Sequence, residues 1–265
     1  MDRMIYIAMS GARQVMHKQA SNNNNLANVN TSGFKAQFDN FTSVPVYGPG
    51  HPARVYGINE QPGADFSQGT VTQTGNPLDV AIDGPGFIAI QDVDGREAYT
   101  RAGNMQVNSS GVLQTASGYP VMGNGGPIVL SPFEKVMIGS DGTITIKPLG
   151  QTTGELAVID RIKLVNPDVG TLKRNDRGFF TLEEGNEPAD GSVRLATESI
   201  EASNVNSVEA LVTMIELSRQ FETQVKLMKA AEDNDAAAGR LLQACLLYTS
   251  PSPRDATLSR MPSSA

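Results

Sequence analysis

Residues 206–242 predict one long α-helix, and this segment constrains the fold more than any other. Apolar residues recur there at alternating steps of three and four, which places them along one side of a helix. Asn206, with Glu209 three residues later, is typical of a helix start. At 1.5 Å per residue the helix is about 55 Å long, so it needs an equally long partner. The stripe consists of Val208, Leu211, Met214, Ile215, Phe221, Val225 and Met228.

The N-terminus predicts a second long helix, from about residue 2 to residue 29. Because its seam includes small and polar residues, it buries little apolar area, and we expect the helix to be marginally stable alone. Thr31, Ser32 and Gly33 end it, since Gly33 can adopt a left-handed conformation. The seam consists of Ile5, Ala8, Ala12, Val15, Gln19, Asn22 and Leu26.

Between the helices, proline and glycine punctuate residues 34–66 and predict an extended or irregular connector. Residues 67–203 then predict antiparallel β-structure, because short apolar runs alternate with turn dipeptides. Residues 143–146 alternate as a half-buried strand. The turn dipeptides are Asp94-Gly95, Ser110-Gly111, Ser117-Gly118, Asn124-Gly125 and Asp141-Gly142.

This order of elements predicts an α+β fold, in which an antiparallel β-rich central domain is flanked by long N- and C-terminal helices. The two seams are covered most simply if the helices pack together as an antiparallel coiled coil and also contact the helices of neighbouring subunits. Purely internal packing of the seams is the alternative. The predicted segments are the N-terminal helix (1–33), the connector (34–66), the β domain (67–203), the C-terminal helix (204–244) and a tail (245–265).

Composition excludes several classes of protein. A net charge of −7 argues against nucleic acid as a partner. The chain has no apolar run long enough to span a membrane, and its N-terminus lacks the basic and apolar regions of a cleaved secretory signal. One cysteine, Cys245, excludes an internal disulfide framework.

No catalytic, cofactor or metal site is predicted. His17 and His51 are too few for a histidine-based metal cluster or catalytic triad. Residues 92–95 resemble the start of a calcium loop, but the glycine comes too early, which favours a hairpin turn. Asp79 and Asp83 lie about 13 Å apart on one strand face, too far for a glycosidase pair. Arg101 is either a subunit-contact or turn-fixing cation, or a solvated charge at a strand end.

Three separated regions resemble the bacterial flagellar rod and hook protein family. Residues 25–35 are similar to its N-terminal signature, and residues 201–206 with 214–222 are similar to its C-terminal signature. The central β motif is matched by residues 76–87, 99–104 and 118–121. Together the similarity covers about residues 1–244. The opening residues and the short connector are most similar to the proximal-rod member, and the distal-rod member is the close alternative.

The resemblance implies a structural, non-enzymatic subunit of the flagellar basal-body rod, which spans the periplasm. Such a subunit binds copies of itself and other rod proteins in a helical tube that transmits torque, with the terminal helices inside and the β domain outside. Head-to-tail contacts build an open tube of this kind, and folding of the ends would be coupled to assembly. The flagellar export apparatus would carry the chain without a cleaved signal peptide.

The candidate assembly interface combines both seams with the N-terminal motif. Alternatives are a distal-rod or hook paralogue, or a secreted β-rich adhesin or binding protein that dimerises through its helices. The interface residues are Ile5, Ala8, Ala12, Val15, Leu26, Asn28, Gly33, Phe34, Val208, Leu211, Met214, Ile215, Phe221, Val225 and Met228.

The last residues, 246–265, are unlike the rest of the chain. Helical periodicity stops, and the sequence looks like translated adapter sequence joined to a truncated gene end. A genuine disordered tail is the alternative, which the composition permits. We therefore leave this segment out of the predicted fold.

Overall fold

The computed structural model of the chain contains two compact units, each built from separate stretches of sequence. The first comprises Met1–Ala20, Asp39–Gln61 and Thr213–Ala265, and the second comprises Ser21–Phe38 and Pro62–Val212. The structure describes residues 3–45, 47, 55–59, 63–150, 156–175, 177–183 and 185–248, without the side chains of residues 3, 59 and 244–248.

Long helices at both ends and short strands between them form the regular structure, so the predicted α+β class is confirmed. The helices are α1 (Arg3–Ala27) and α2 (Ser207–Tyr248). Within the described residues, neither helix has a stretch both long and apolar enough to cross a membrane. A short 3₁₀ turn spans Val169–Thr171. The strands are β1 (Gln37–Phe38), β2 (Phe41–Pro45), β3 (Val55–Asn59), β4 (Gly63–Ala64), β5 (Val71–Gln73), β6 (Val80–Asp83), β7 (Phe87–Gln91), β8 (Glu97–Thr100), β9 (Met105–Val107), β10 (Leu113–Thr115), β11 (Phe133–Ile138), β12 (Thr143–Pro148), β13 (Ala157–Arg161), β14 (Leu164–Val165), β15 (Leu172–Arg174), β16 (Phe180–Leu182), β17 (Arg194–Thr197) and β18 (Ser199–Glu201).

The second unit is built on an antiparallel β core. Its largest sheet has the strand order β14-β7-β8-β16-β15. The apolar run of β7 is buried on both faces, as a continuous apolar run predicts. In β12, by contrast, Ile144 and Ile146 are buried while Thr143 and Thr145 are half-buried, which confirms the predicted alternation. These isoleucines join one hydrophobic cluster with β6, β7 and β17.

Glycines in the left-handed region close the predicted turns between these strands. In four of the turns, the glycine amide donates to the carbonyl three residues earlier, as in the 2.9 Å bond from Gly95 N to Asp92 O. At Asn124-Gly125 the positive φ, 141°, falls instead on Gly126. The four glycines are Gly95, Gly111, Gly118 and Gly142, with φ of 75°, 82°, 87° and 86°.

In the first unit, α1 and α2 are antiparallel and α1 also contacts the β2–β3 hairpin. Gly11 of α1 lies against the side chain of Gln224 of α2. A shallow apolar groove of about 310 Å³ is lined by Val15, Met16 and Gln19 from α1 and by Leu217, Ser218 and Phe221 from α2. Gln14 Nε2 donates to Gly57 O of β3 at 2.5 Å. These contacts anchor α1 on a hairpin as well as on a helix.

Helix α1 ends at Ala27 and is followed by turns, close to the predicted helix end at about residue 29. Two other segments differ from the prediction. Residues 34–66, predicted to be irregular, contain β1 to β4. Helix α2 continues to Tyr248, past the predicted end at residue 242. Residues 249–265, most of the predicted tail, lie outside the described residues.

Asn206 caps α2 as predicted. Its side-chain Oδ1 accepts hydrogen bonds from the amides of Val208 (3.1 Å) and Glu209 (3.4 Å). Two amides of the first turn, which have no partner inside the helix, are thereby satisfied.

Candidate assembly site

The turn after α1 places the N-terminal motif directly against the β core of the second unit. Gly33 has a φ of 67°, and its amide donates to Glu201 O at 2.8 Å. A Cβ at position 33 would lie 2.2 Å from the carbonyl carbon of Arg101 and 2.3 Å from the amide nitrogen of Ala102. Glycine is therefore required here both for its backbone conformation and for its lack of a side chain.

Glu201, at the end of β18, is the centre of a buried charge cluster, formed by Lys35, Arg101 and Glu201. Lys35 Nζ lies 2.6 Å from Glu201 Oε1, and Arg101 Nε lies 2.8 Å from Glu201 Oε2. The relative exposures of the three side chains are 0%, 3% and 0% respectively. The cluster thus joins the N-terminal motif, the central β motif and the C-terminal motif inside one subunit.

Backbone groups complete the hydrogen bonding of the charge cluster. Lys35 Nζ also donates to Ser67 O at 2.6 Å, and Arg101 Nη2 donates to Gly84 O at 2.8 Å. The amide of Gly69 donates to Glu201 Oε1 at 2.9 Å. Burial lowers the pKa of Lys35, and the Glu201 carboxylate acts in the opposite direction. Because the cluster is closed to solvent, its role is to hold chain segments together.

Polar and aromatic contacts extend from the charge cluster along residues 34–37. Asn204 Oδ1 accepts from the amide of Ala36 at 2.7 Å, and its Nδ2 donates to Asp65 O at 2.8 Å. The Asn25 side chain makes two hydrogen bonds to the backbone of Gln37, at 2.7 and 2.8 Å. Residues 25, 36, 37 and 204 are therefore fixed by direct bonds between the N- and C-terminal motifs and the connector.

The predicted seam of α1 lies on the less exposed side of the helix. Ala8 and Ala12 are buried, and Ile5, Val15 and Leu26 are half-buried. Small residues at the centre of a seam let a neighbouring helix approach closely. Whether these residues also contact other subunits stays a prediction.

The other three predicted interface residues of the N-terminal region make contacts within the second unit. Asn28 is half-buried, and its Nδ2 donates to Asn24 O at 2.9 Å. Gly33 is buried against Arg101, and Phe34 is buried with its ring 4.5 Å from the Arg174 guanidinium. An assembly role for these three residues also stays a prediction.

The single apolar stripe predicted for α2 is two adjacent stripes. The covered stripe includes three half-buried residues of the predicted stripe, Met214, Phe221 and Met228, whose assembly role stays a prediction. It also includes the buried residues Ala210, Leu217 and Ala231, which the predicted stripe omitted. The second stripe is exposed, and we call it the exposed stripe. Its members are Val208, Leu211, Ile215 and Val225, with exposures of 68%, 49%, 56% and 43%.

Exposed apolar side chains also lie on α1, beside its covered seam. Tyr6, Met9 and Met16 are each more than half exposed, and they recur at steps of three and seven, which places them on one side of the helix. Whether this exposed apolar surface of α1 contacts another subunit stays a prediction.

Arg101 is not a solvated charge at a strand end, which was one of its two predicted roles. It is buried because Glu201 neutralises it, and its bond to Gly84 O fixes the turn between β6 and β7. Residues 92–95 form the predicted hairpin turn, with Asp92 paired to Arg177. Within the described residues, no group of three His, Cys, Asp or Glu side chains is arranged to hold a metal ion.

The sequence did not single out Lys35, Glu201, Asn204 or Leu217. Three of these residues, Lys35, Glu201 and Asn204, lie inside the motifs that carry the family resemblance. Their position in those motifs was the indication in the sequence that they have a role. Lys35 and Glu201 are 166 residues apart, and sequence spacing carries no information about such a pairing.

Comparisons with known proteins identify the family of the chain. Residues 81–146 match the family described as flagellar hook protein FlgE/F/G D1 domain, and residues 196–241 match the flagellar basal body rod FlgEFG protein C-terminal family. The flagellar basal-body rod protein FlgF of Salmonella typhimurium is 39% identical over 249 residues, covering 91% of this chain and 99% of the relative. FlgF of Escherichia coli gives the same values. The flagellar basal-body rod protein FlgG of Bacillus subtilis is 34% identical over 253 residues, covering 87% and 96%. The chain belongs to the flagellar basal-body rod protein family and is a structural subunit of the rod.

Proposed function

We propose that the chain polymerises with copies of itself and with other rod proteins into a helical tube that spans the periplasm and transmits torque. The exposed stripe of α2 is the observation that carries this proposal. Each Å² of apolar surface removed from water contributes about 25 cal/mol. The assembled state is therefore stabilised relative to the lone subunit when a neighbouring subunit covers the exposed stripe, Val208, Leu211, Ile215 and Val225.

Within one subunit, α1 and α2 pack as an antiparallel coiled coil. The contact of Gly11 with Gln224 supports this packing, as does the three-and-four spacing of the covered stripe. The exposed stripe and the exposed side chains of α1 then contact helices of neighbouring subunits. In this arrangement the helices form the inner layer of the tube and the β core forms the outer layer.

The subunit occupies the proximal rod and has no catalytic activity. Identity of 39% to the two FlgF relatives, against 34% to the Bacillus subtilis FlgG, supports the proximal position. It leaves the cytoplasm through the flagellar export apparatus, without a cleaved signal peptide. A chain with one cysteine, and therefore with no internal disulfide, suits passage through a narrow export channel in an unfolded state.

Placing charges in the exposed stripe is expected to abolish assembly. With Ile215→Glu and Val225→Glu together, two carboxylates would be buried in an apolar contact, which costs several kcal/mol. The lone subunit should stay folded, since both side chains are exposed in it. The measurements are swimming in soft agar and the amount of the chain in purified basal bodies, in a strain that lacks its own copy. Both should fall more than about tenfold.

Thr223→Glu is the matched control, because Thr223 is exposed and lies on α2 away from both stripes. It should swim like the wild type. The alternative, a secreted β-rich protein that dimerises through its helices, predicts normal swimming for the double variant as well. Normal swimming and incorporation of the double variant would refute the rod proposal.

A further inference from the structure

A polar groove of about 630 Å³ lies in the second unit, beside the turn that follows α1. Amide and hydroxyl groups line it, among them those of Asn24, Thr31 and Ser32, together with two guanidinium groups, Arg174 and Arg177. None of the described lining residues is a carboxylate; Asp176 lies outside the described residues. The groove is therefore suited to an acidic ligand.

Arg174 is the unusual member of this lining. Its guanidinium packs on the Phe34 ring at 4.5 Å, and its Nη1 donates to Lys35 O at 3.2 Å. It forms no ion pair with any carboxylate among the described residues. Burial lowers the pKa of Arg174. Arg177, by contrast, lies 2.5 Å from Asp92 and 3.7 Å from Asp94. A half-buried cation held rigidly by an aromatic ring, without a counterion, gains most from a carboxylate supplied from outside.

We propose that this groove binds an acidic helical segment of a second copy of the chain, residues 232–235 of its α2. Three of these four residues, Glu232, Asp233 and Asp235, are acidic and exposed, and none forms an ion pair with a described residue. Glu232 and Asp235 are three positions apart, so both point to one side of the helix. One of these two carboxylates pairs with Arg174 in bidentate geometry, and the other accepts hydrogen bonds from the amide and hydroxyl groups of the lining.

Residues 232–235 carry three exposed acidic residues in four positions, whereas several of the other acidic side chains have cationic partners. Glu97 is paired with Lys163, Glu134 with Lys147, and Glu183 with Lys173. Along α2, Glu216 and Glu222 each have a basic residue three or four positions further on. Glu232 and Asp233 have only Lys229, three and four positions before them, which is the less favourable order, and Asp235 has no basic residue at either spacing. The inference rests on the proposed function, because the second copy is a neighbour in the rod.

A charge reversal and its compensation test the pairing. With Arg174→Glu, like charges would face each other, and the amount of the chain in basal bodies should fall about tenfold. Adding Glu232→Lys and Asp235→Lys to that variant should restore at least about half of the loss. Arg194→Glu, which reverses an exposed cation outside the groove, should incorporate like the wild type. Wild-type incorporation of Arg174→Glu, or a loss that the compensating changes do not relieve, would overturn the inference.

A second measurement does not depend on the stability of the Arg174 variant. Two forms of the full chain are expressed together, one with Ser32→Cys and one with Glu232→Cys, both with Cys245→Ser. Mild oxidation of basal bodies should give a disulfide-linked dimer, and replacing Ser32→Cys by Ser140→Cys, which does not line the groove, should give none. If the first pair gives no dimer in assembled rods, the inference is wrong while the proposed function stands. If the stripe variants swim normally, the proposed function itself fails.

Discussion

Glu201→Ala is expected to lower the free energy of unfolding by about 3–5 kcal/mol, because it leaves two buried cations without a counterion. Lys35 and Arg101 both lose their ion-pair partner, and the Gly69 amide loses its acceptor. Urea unfolding followed by far-UV circular dichroism measures this, since the chain has no tryptophan.

Glu134→Ala is the control for this prediction. Its ion pair with Lys147 is largely exposed, and such pairs contribute about 0–1 kcal/mol. Lys35→Met, added to Glu201→Ala, removes one uncompensated cation, so the double variant should be destabilised less than the sum of the two single variants. If Glu201→Ala costs no more than Glu134→Ala, the charge cluster does not hold the motifs together.

Gly33→Ala is expected to destabilise the subunit by about 2–5 kcal/mol, combining about 1–2 kcal/mol for the left-handed backbone with about 1–3 kcal/mol for the clash. The new methyl group would meet the backbone of Arg101 and Ala102, which cannot rotate away as a flexible side chain would. Because Arg101 belongs to the charge cluster, any shift of its backbone also disturbs the ion pair with Glu201.

Gly118→Ala separates the two contributions. Gly118 has a φ of 87°, but nothing lies within 4 Å of a Cβ built there. Its cost should therefore be only that of the backbone, about 1–2 kcal/mol. The same denaturation experiment compares the two variants. Equal losses would mean that the close approach of Gly33 to Arg101 does not exist in solution.

Local patterns predicted the local elements of this fold well. Asn206 marks the start of α2, and dipeptides such as Asp94-Gly95 mark hairpin turns, because capping and positive φ depend on a few neighbouring residues. Strand β12 follows from its alternation alone. In each case the physical cause lies within the segment itself.

Tertiary contacts explain what the sequence did not predict. The β2–β3 hairpin lies in a segment rich in proline and glycine, and it packs against α1 through Gly57 and Phe41. On α2, periodicity could not separate the covered stripe from the exposed one, because both are apolar and adjacent. Leu217 faces α1 whereas Ile215 faces solvent, and only the position of α1 decides between them. The charge cluster could not be predicted from the sequence either, because its members are distant from one another along the chain.

The central claim is that the surfaces of the terminal helices are completed only inside the rod. Amide hydrogen exchange of the same chain, free in dilute solution and within purified basal bodies, tests it directly. The account predicts slow exchange in β7 and β12 in both states, with fast exchange in residues 213–243 of the free subunit that becomes slow in the basal body. Equally strong protection of residues 213–243 in both states would contradict it.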